Sequence, residues 1–304
     1  MNILICDKIS QSAINKLKEA DFSVDIKDDI THDELKLCAL EYDCLVVRSR
    51  TKITRDILHS GHSSGNGKLK LIVRGGVGLD NIDIEAAKEL GIEVKNTPKS
   101  SARSVVELVL GFMIMLSRNL YGANKSLKGL KWEKSNGNLL LNKTLGIIGF
   151  GNIGRSLSGL SNALGMRVIA FDEVQINCND VVSVSFEQLL KDSDFITLHC
   201  PKNECTTKLI GEKELALMKE SAFLINTARG GIIDETALLK ALKNKKIAGA
   251  ALDVFEIEPP INTELLSLEN VLATPHIGAS TKEAQDGIGQ EIYEVISEFA
   301  KSIK

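Results

Sequence analysis

Three side chains in the C-terminal half of the chain could together carry out a reaction: Arg229, Glu258 and His276. A guanidinium holds both oxygens of a carboxylate and can polarise a neighbouring carbonyl. An imidazole exchanges protons near neutral pH, and a carboxylate beside it fixes its tautomer and favours its protonated form. The set predicts proton transfer on a small substrate that bears a carboxylate. A surface ion pair for Arg229 and a structural role for His276 are the alternatives.

A glycine-rich turn precedes these residues. Gly149, Gly151 and Gly154 follow the apolar run Leu145–Ile148 and lead into a helical segment. In that context the first glycine permits a tight turn, the second lets the backbone approach a pyrophosphate, and the third allows close packing of helix on strand. Asp172 follows about 20 residues further on, where it can bind ribose hydroxyls and would repel a 2′-phosphate. The cofactor is therefore predicted to be NAD and not NADP, with a simple turn residue as the alternative for Asp172.

The elements that must position these groups alternate between short apolar runs and helical segments, which is typical of parallel sheets. The first series comprises Ile3–Cys6, Leu45–Val47, Leu71–Val73 and Ile92–Val94. The second series comprises Leu145–Ile148, Val168–Phe171, Phe195–Leu198, Phe223–Ile225, Ala248–Leu252 and Val271–Ala273. We expect an α/β protein with two doubly wound parallel-sheet domains. A Rossmann nucleotide-binding domain, residues 99–276, would be inserted in a smaller flavodoxin-like substrate-binding domain, residues 1–98 and 277–304.

Three other segments complete this plan. Arg103–Arg118 is predicted as the long helix that links the domains, and the polar stretch Ser60–Gly67 as a surface loop. Thr281–Lys304 is a second helical run, which we expect to return to the first domain because it follows the last nucleotide-domain strand.

Candidate residues from distant parts of the sequence share one position relative to the strands. Cys200, Thr227, Asp253 and His276 each lie at or just after the end of a predicted strand, and Arg229 follows two residues after Thr227. The carboxyl ends of parallel strands meet at one edge of a doubly wound sheet, where ligands bind. We therefore expect these residues to form one site.

Composition excludes several other classes of function. The chain has 304 residues, a net charge of −3 and ordinary apolar and charged fractions of 43% and 25%, which argues against nucleic-acid and membrane partners. The most membrane-like stretch, Val105–Leu116, is too short to span a bilayer and contains Glu107. The six cysteines have neither CxxC nor metal-ligand spacing, so we expect free thiols, no metal and a cytoplasmic location.

Four ordered motifs give the chain a resemblance to the D-2-hydroxyacid dehydrogenases. They are Gly149-Phe-Gly-Asn-Ile-Gly154, Asn226-Thr-Ala-Arg-Gly-Gly231, Ala251-Leu-Asp-Val-Phe-Glu-Ile-Glu-Pro259 and Pro275-His-Ile-Gly-Ala279. The resemblance implies that Arg229 binds the substrate, that His276 transfers the proton and that Glu258 orients it. It also implies a homodimer formed through the NAD-binding domain, and Asp253 as the partner of the nicotinamide carboxamide. The remaining implied cofactor contacts are Asn152, Ile153, Asp172, Cys200, Thr227, Ala228, Gly278, Ala279 and Val77.

The same resemblance extends to the substrate. It implies oxidation of a phosphorylated 2-hydroxy acid, D-3-phosphoglycerate, to 3-phosphohydroxypyruvate with NAD. Arg48 and Arg74 follow first-domain strands and are the candidate phosphate ligands, with Arg50 as a weaker one and surface charge as the alternative. The amides of Gly75 and Gly76, with the two residues that follow, are expected to form an anion-binding nest. Ser101 stands where many relatives have an asparagine, which puts that substrate contact in doubt.

Two alternative functions remain open at this stage. One is a sibling dehydrogenase acting on glyoxylate, hydroxypyruvate or D-lactate, which would share all of the chemistry and differ only in its pocket. The other is an NAD-sensing corepressor-like scaffold, which the complete catalytic set disfavours. Because the sequence ends at Lys304, we also expect no C-terminal regulatory domain.

Overall fold

The computed structural model describes residues 1–60 and 67–303, which divide into two units. Unit 1 comprises Met1–Ser101 and Ala279–Lys304, and unit 2 comprises Ala102–Gly278. The sequence placed the corresponding boundaries between residues 98 and 99 and between residues 276 and 277. Most of the predicted loop Ser60–Gly67 lies outside the described residues.

Unit 1 contains a five-stranded parallel sheet within the described residues, in the order β2-β1-β3-β4-β5. Its strands are β1 Asn2–Ile5, β2 Ser23–Ile26, β3 Cys44–Val47, β4 Leu71–Arg74 and β5 Glu93–Asn96. Its helices are α1 Gln11–Glu19, α2 His32–Cys38, α3 Arg55–Ser60, α4 Ile84–Glu89 and α12 Lys282–Ser302, with a 3-10 turn at Ala39–Glu41. This strand order is that of flavodoxin-like folds, as predicted.

The C-terminal helix α12 belongs to unit 1, as expected from its position after the last strand. It begins after Thr281, whose side chain accepts a hydrogen bond from the Ala284 amide at 3.2 Å. Its apolar face, including Ile288, Ile292 and Ile296, packs with residues of β1, β3 and β4 in one buried cluster.

Unit 2 contains a seven-stranded parallel sheet, in the order β12-β11-β10-β9-β6-β7-β8. Its strands are β6 Thr144–Ile148, β7 Arg167–Phe171, β8 Val182–Ser183, β9 Phe195–Leu198, β10 Phe223–Asn226, β11 Gly249–Leu252 and β12 Val271–Ala273. Its helices are α5 Ala102–Arg118, α6 Leu120–Lys128, α7 Asn152–Ala163, α8 Phe186–Asp192, α9 Glu212–Leu217, α10 Glu235–Lys243 and α11 Thr263–Ser267. Six of the strands follow the Rossmann order, and β12 extends the sheet at one edge.

Both sheets are buried on both faces, which explains why their strands read as nearly continuous apolar runs. In unit 2, Ile147 belongs to one apolar cluster and Ile148 to another. In unit 1, Ile3 and Leu4 divide between two clusters in the same way. Successive residues of a strand point to opposite faces, so two separate clusters in each unit indicate helices on both sides of each sheet. The doubly wound architecture predicted from the sequence is therefore confirmed.

Strands β2 and β8 were missed by the sequence pattern. Both lie at sheet edges, and Ser23-Val-Asp-Ile26 and Val182-Ser183 contain no buried residue. An edge strand loses the continuous apolar character that marks a central strand, so hydrophobicity alone does not reveal it.

Candidate active site

The residues that follow five neighbouring strands of unit 2 form a row along one edge of its sheet. The strands pair Ile148 with Leu198, Leu198 with Asn226, Asn226 with Leu252, and Leu252 with Ala273. The next residue on each strand completes the row: Gly149, His199, Thr227, Asp253 and Thr274. The strand ends expected to meet therefore lie side by side.

The three glycines of the β6–α7 turn are required for different reasons. A Cβ atom at Gly149, where φ is +91°, would lie 2.7 Å from the Cys200 amide nitrogen, and one at Gly154 would lie 2.6 Å from the Gly149 carbonyl oxygen. Gly151 caps α7, and a Cβ there would meet no atom within 4 Å. Packing within the protein thus accounts for Gly149 and Gly154, whereas Gly151 leaves open space at the start of a helix.

The groups around this turn fit a dinucleotide. Asp172 follows β7, and its carboxylate accepts hydrogen bonds from the Phe150 amide at 2.5 Å and the Val174 amide at 3.0 Å. One bond to each oxygen leaves further lone pairs for ribose hydroxyls. The buried hydroxyl of Thr227 has no hydrogen-bond partner among the described residues. Burial raises the pKa of Cys200 to about 11, so its side chain stays a neutral thiol.

Asn152 and Ile153 form the first turn of α7, beside the open space at Gly151. Backbone amides at the N-terminus of a helix favour phosphate oxygens. These two residues would hold the pyrophosphate of a bound NAD.

Arg229 lies in a loop that is fixed at both ends. Its Nη1 donates to the Ala228 carbonyl at 2.6 Å. The next residue, Gly230, packs so closely that a Cβ there would come within 1.6 Å of the Phe255 carbonyl oxygen. The arginine loop and the loop after β11, which carries Glu258, are therefore in direct backbone contact.

His276 and Glu258 form a hydrogen-bonded pair. His276 Nδ1 lies 2.8 Å from Glu258 Oε2, and the two side chains are 36% and 37% exposed. Glu258 Oε1 also accepts the Phe255 amide at 3.2 Å. Partial burial raises the pKa of the Glu258 carboxyl, but the hydrogen bond and charge of His276, the Phe255 amide and the charge of Arg229 outweigh it and hold that pKa below its usual value.

This geometry assigns the protons on the imidazole. An ionised carboxylate can only accept a hydrogen bond, so Nδ1 of His276 carries the proton in the pair. Nε2 is then the nitrogen that can exchange a proton with a substrate.

Asp253 shapes the turn that presents His276. Asp253 is 1% exposed, and its carboxylate accepts hydrogen bonds from the Thr274 hydroxyl at 2.5 Å and from the amides of Ile277 and Gly278, each at 2.8 Å. Its own carbonyl accepts the His276 amide at 2.9 Å. These bonds hold His276 in the left-handed region, φ +52°, which is unfavourable for a residue other than glycine.

Gly278, a predicted cofactor contact, has both backbone groups engaged within unit 2. Its amide donates to Asp253, and its carbonyl accepts the Ser104 hydroxyl at 2.7 Å. Ala279 belongs to unit 1, where its carbonyl accepts the Gln285 side-chain amide at 2.6 Å.

In unit 1, Arg48 follows β3 as predicted. Its backbone amide donates to the Asp7 carboxylate at 2.5 Å, whereas its guanidinium is held by neutral groups. Its Nη1 donates to Gln285 Oε1 at 2.5 Å and to the Lys8 carbonyl at 3.4 Å. Burial lowers the pKa of Arg48, against the opposing effect of Asp7. Arg50 differs, because its Nε forms an ion pair at 2.9 Å with Asp7, a carboxylate whose side chain is 5% exposed. Arg50 is thus accounted for as part of the fold.

The expected anion nest requires a correction. The Gly75 amide donates to the Val47 carbonyl at 2.8 Å, and the Gly76 amide donates to the Thr97 hydroxyl at 2.7 Å. Both amides are used by the fold, so a nest of four consecutive amides is not formed. Val77 is 41% exposed, and its amide and that of Gly78 are the remaining candidates.

The other substrate candidates of unit 1 are buried. Arg74 is 9% exposed, and its guanidinium lies against Gly76, where a Cβ would come 1.6 Å from Nη1. Ser101, the last residue of the N-terminal part of unit 1, is 3% exposed.

Within the described residues, 1–60 and 67–303, we searched for a metal site and for a membrane-spanning helix. There, no cluster of His, Cys, Asp and Glu side chains could hold a metal ion. Over the same residues no single helix has the length and apolar character to cross a bilayer; the pair α5 and α6, bent by 63°, meets the length and composition criteria only in combination.

The sequence analysis assigned no role to Asn226 or Thr274, yet Asn226 bonds to the arginine loop and Thr274 bonds to Asp253 in the loop after β11. Asn226 lies within a motif quoted for the resemblance, and Thr274 precedes the Pro-His pair. Short polar side chains at strand ends commonly bond to the adjacent backbone, and that tendency is the signal that could have found them.

Comparison with known proteins agrees with this geometry. Residues 110–278 match the model of the D-isomer specific 2-hydroxyacid dehydrogenase NAD-binding domain. A hydroxypyruvate reductase of Thermotoga maritima is 50% identical over 87% of both chains. A D-3-phosphoglycerate dehydrogenase of Methanocaldococcus jannaschii is 44% identical over 99% of this chain, which spans only 58% of that protein. The structure of a D-lactate dehydrogenase from Aquifex aeolicus, complexed with NAD and lactic acid, has a TM-score of 0.86 and 30% identity, with 99% of this chain and 96% of that chain covered.

The Rossmann unit, the His–Glu pair and the arginine loop define an NAD-dependent oxidoreductase acting on a small hydroxy acid. The chain belongs to the D-isomer specific 2-hydroxyacid dehydrogenase family.

Proposed function

We propose that the protein oxidises D-3-phosphoglycerate to 3-phosphohydroxypyruvate with NAD, the entry step of serine synthesis. The 2.8 Å pair between His276 Nδ1 and Glu258 Oε2, beside the arginine loop, is the observation that carries the chemistry. The D-3-phosphoglycerate dehydrogenases at about 40% identity support the substrate.

Each catalytic side chain would have one task. The Arg229 guanidinium would bind the substrate carboxylate and polarise the C2 oxygen. His276 Nε2 would take the hydroxyl proton during oxidation, while Glu258 keeps Nδ1 protonated and stabilises the resulting imidazolium. When bound, NAD accepts a hydride from substrate C2. Asp172, Thr227 and the start of α7 would hold it.

Two arginines of unit 1 differ in the charge of the groups that hold their side chains, and this difference indicates which one could bind the substrate phosphate. The Arg50 guanidinium forms an ion pair with Asp7, whereas the acceptors of the Arg48 guanidinium, Gln285 and the Lys8 carbonyl, are neutral. Asp7 bonds to Arg48 through the backbone amide. A partly buried guanidinium held by neutral acceptors keeps its charge for an anion. Arg48 is therefore the proposed phosphate ligand, with Arg74 as a second candidate.

Reduction of hydroxypyruvate is the second candidate function. It is favoured by the 50% identity to the Thermotoga hydroxypyruvate reductase, which matches this chain over 87% of both proteins. The two activities share the hydride and proton steps and differ in whether the substrate carries a second anionic group.

The deciding experiment is NADH oxidation by the purified protein with 3-phosphohydroxypyruvate, hydroxypyruvate, glyoxylate and pyruvate. The proposal predicts the highest kcat/KM for the phosphorylated acid. Arg48→Gln should raise the KM for that acid roughly 10-fold or more, since a hydrogen bond to a charged group is lost, and leave the KM for hydroxypyruvate nearly unchanged. Arg167→Gln, an exposed change at the amino end of β7, is the matched control. A preference for hydroxypyruvate would support the second candidate.

We further propose a homodimer formed through unit 2. Helix α6 contains no buried residue, and after it Leu130 is 95% exposed, Trp132 77% and Leu139 67%. Large apolar side chains clustered in sequence and left in water mark an interaction surface. Light scattering should give a dimer for the wild type and a monomer for Trp132→Glu, with Arg167→Glu, an exposed change at the amino end of β7, as the control. A wild-type monomer would refute this arrangement.

A cytoplasmic location is proposed from the cysteines. All six are free thiols, which is typical of a reducing compartment. Fractionation of cells that produce the protein would test this.

A further inference from the structure

Asn226, the last residue of β10, is buried at the base of the arginine loop. It is 2% exposed, and its side chain folds back on the residues that follow it. Its Nδ2 donates to the Arg229 carbonyl at 2.9 Å, and its Oδ1 accepts the Ala228 amide at 3.0 Å. One side-chain amide therefore closes the whole loop from Thr227 to Arg229.

The position of the guanidinium depends on that loop. Arg229 Nη1 donates to the Ala228 carbonyl, so the arginine side chain is held by backbone that Asn226 itself fixes. The backbone carbonyl of Asn226 also accepts the Asp253 amide at 2.9 Å. Asn226 thus connects the arginine loop to the residue that shapes the histidine turn.

Only an amide side chain of this length satisfies both contacts. The Arg229 carbonyl needs a donor and the Ala228 amide needs an acceptor, and asparagine supplies one of each in a fixed plane. An ionised carboxylate would offer only acceptors and would face the Arg229 carbonyl oxygen. An apolar residue would leave two backbone groups without partners.

We propose that Asn226 is a positioning residue that aims the Arg229 guanidinium at the substrate carboxylate. It acts through Arg229 and does not contact the substrate. This inference rests on the substrate-binding role proposed for Arg229. Its consequence is energetic coupling: Asn226 matters to catalysis only as long as Arg229 is present.

A double-mutant cycle tests that coupling directly. Asn226→Ala in the wild-type background should lower kcat/KM with the preferred 2-oxo acid roughly 10- to 100-fold, as expected for a misplaced catalytic group. In the Arg229→Ala background, the same change should lower kcat/KM by no more than about twofold. Asn226→Ser, which keeps a small polar group, replaces Asn226→Ala if the latter does not fold. Circular dichroism and NADH binding establish folding for each variant.

Asn270→Ala is the matched control. The Asn270 side-chain amide also donates to a backbone carbonyl, that of Ala248 at 3.2 Å. Ala248 and Asn270 lie just before β11 and β12, at the amino end of the strands. Its removal should change kcat/KM less than about threefold in either background.

The outcomes separate this inference from the proposed mechanism. If Arg229→Ala leaves kcat/KM unchanged, the proposed role of Arg229 is wrong and the positioning role falls with it. If Arg229→Ala is impaired and the two losses multiply in the double variant, Asn226 acts independently of Arg229 and only the positioning role is overturned. A wild-type rate for a folded Asn226→Ala variant would overturn it as well.

Discussion

Replacing Gly230 with alanine should separate the two loops that carry the proposed catalytic groups. The new Cβ would lie 1.6 Å from the Phe255 carbonyl oxygen and 2.1 Å from its carbonyl carbon. Real Cβ contacts are essentially never shorter than 3.0 Å, so the backbones must move apart by about 1.4 Å at the closest contact. Both neighbours are backbone atoms, so no side-chain rotation can relieve the overlap.

A displacement of that size should be visible in catalysis. A misplacement of about 1 Å between reacting groups can reduce the rate roughly 100-fold, which corresponds to about 2.7 kcal/mol. Overpacking at a buried contact should also destabilise the fold by about 1–3 kcal/mol. We therefore expect Gly230→Ala to be folded, with a lower melting temperature and a kcat/KM about 100-fold below that of the wild type.

The assay is NADH oxidation with the preferred 2-oxo acid, well below the melting temperature of every variant. Gly159→Ala is the control, because it makes the same chemical change within α7 where no atom lies within 4 Å of the new Cβ. Alanine in a helix interior should stabilise this variant by roughly 0.5–1 kcal/mol and leave the rate unchanged. A folded Gly230→Ala variant with a rate within threefold of wild type would refute the argument that this contact fixes Arg229 relative to Glu258.

Three further predictions concern residues at or just after the strand ends of unit 2. Gly151→Ala should keep wild-type stability, since no protein atom lies within 4 Å of the new Cβ. It should raise the NADH dissociation constant at least about 10-fold, because the backbone can no longer approach the pyrophosphate. Equal NADH affinity of the variant and the wild type in calorimetry would contradict this. Asp253→Asn replaces one acceptor oxygen with an NH2 donor that faces backbone amides. The variant should stay folded, and its kcat/KM should fall roughly 10- to 100-fold. A wild-type rate would show that the histidine turn does not depend on the Asp253 carboxylate. Burial lowers the pKa of His199 to about 3, below its unfolded value near 6.5. The unfolded chain therefore binds a proton that the folded one does not, and stability is lost as pH falls from about 6.5 toward 3, by up to about 1.4 kcal/mol per pH unit. Urea unfolding without NAD should show a smaller loss for His199→Gln, whereas parallel curves for the two proteins would contradict this.

The architecture could be read from the sequence because the signals that encode it are local. The central strands appear as apolar runs bounded by turn residues, since each is buried on both faces of its sheet. The glycine turn could also be predicted, because the requirements at Gly149 and Gly154 arise from contacts that recur wherever a strand, a tight turn and a helix follow one another. Edge strand β2 could not be predicted, because its residues, none of them buried, do not form an apolar run.

Only the tertiary structure decided which polar groups are already engaged by the fold. Arg48 and Arg50 are two residues apart in the sequence, yet Arg50 forms an ion pair with Asp7 through its side chain, whereas Arg48 donates to Asp7 through its backbone amide. The Gly75 amide looked suited to an anion but donates to Val47. Asn226 had no assigned role until its amide was found to close the arginine loop.

The physical reason is the range of the interactions. Secondary-structure periodicity and turn chemistry depend on neighbours a few residues away, so one sequence determines them. A hydrogen bond between distant segments exists only once the sheet has brought the strand ends together, as for Asp253 and Gly278, 25 residues apart. The sequence therefore determined the fold class and the cofactor and identified the candidate reactive side chains, and the folded chain decided how each of them is held.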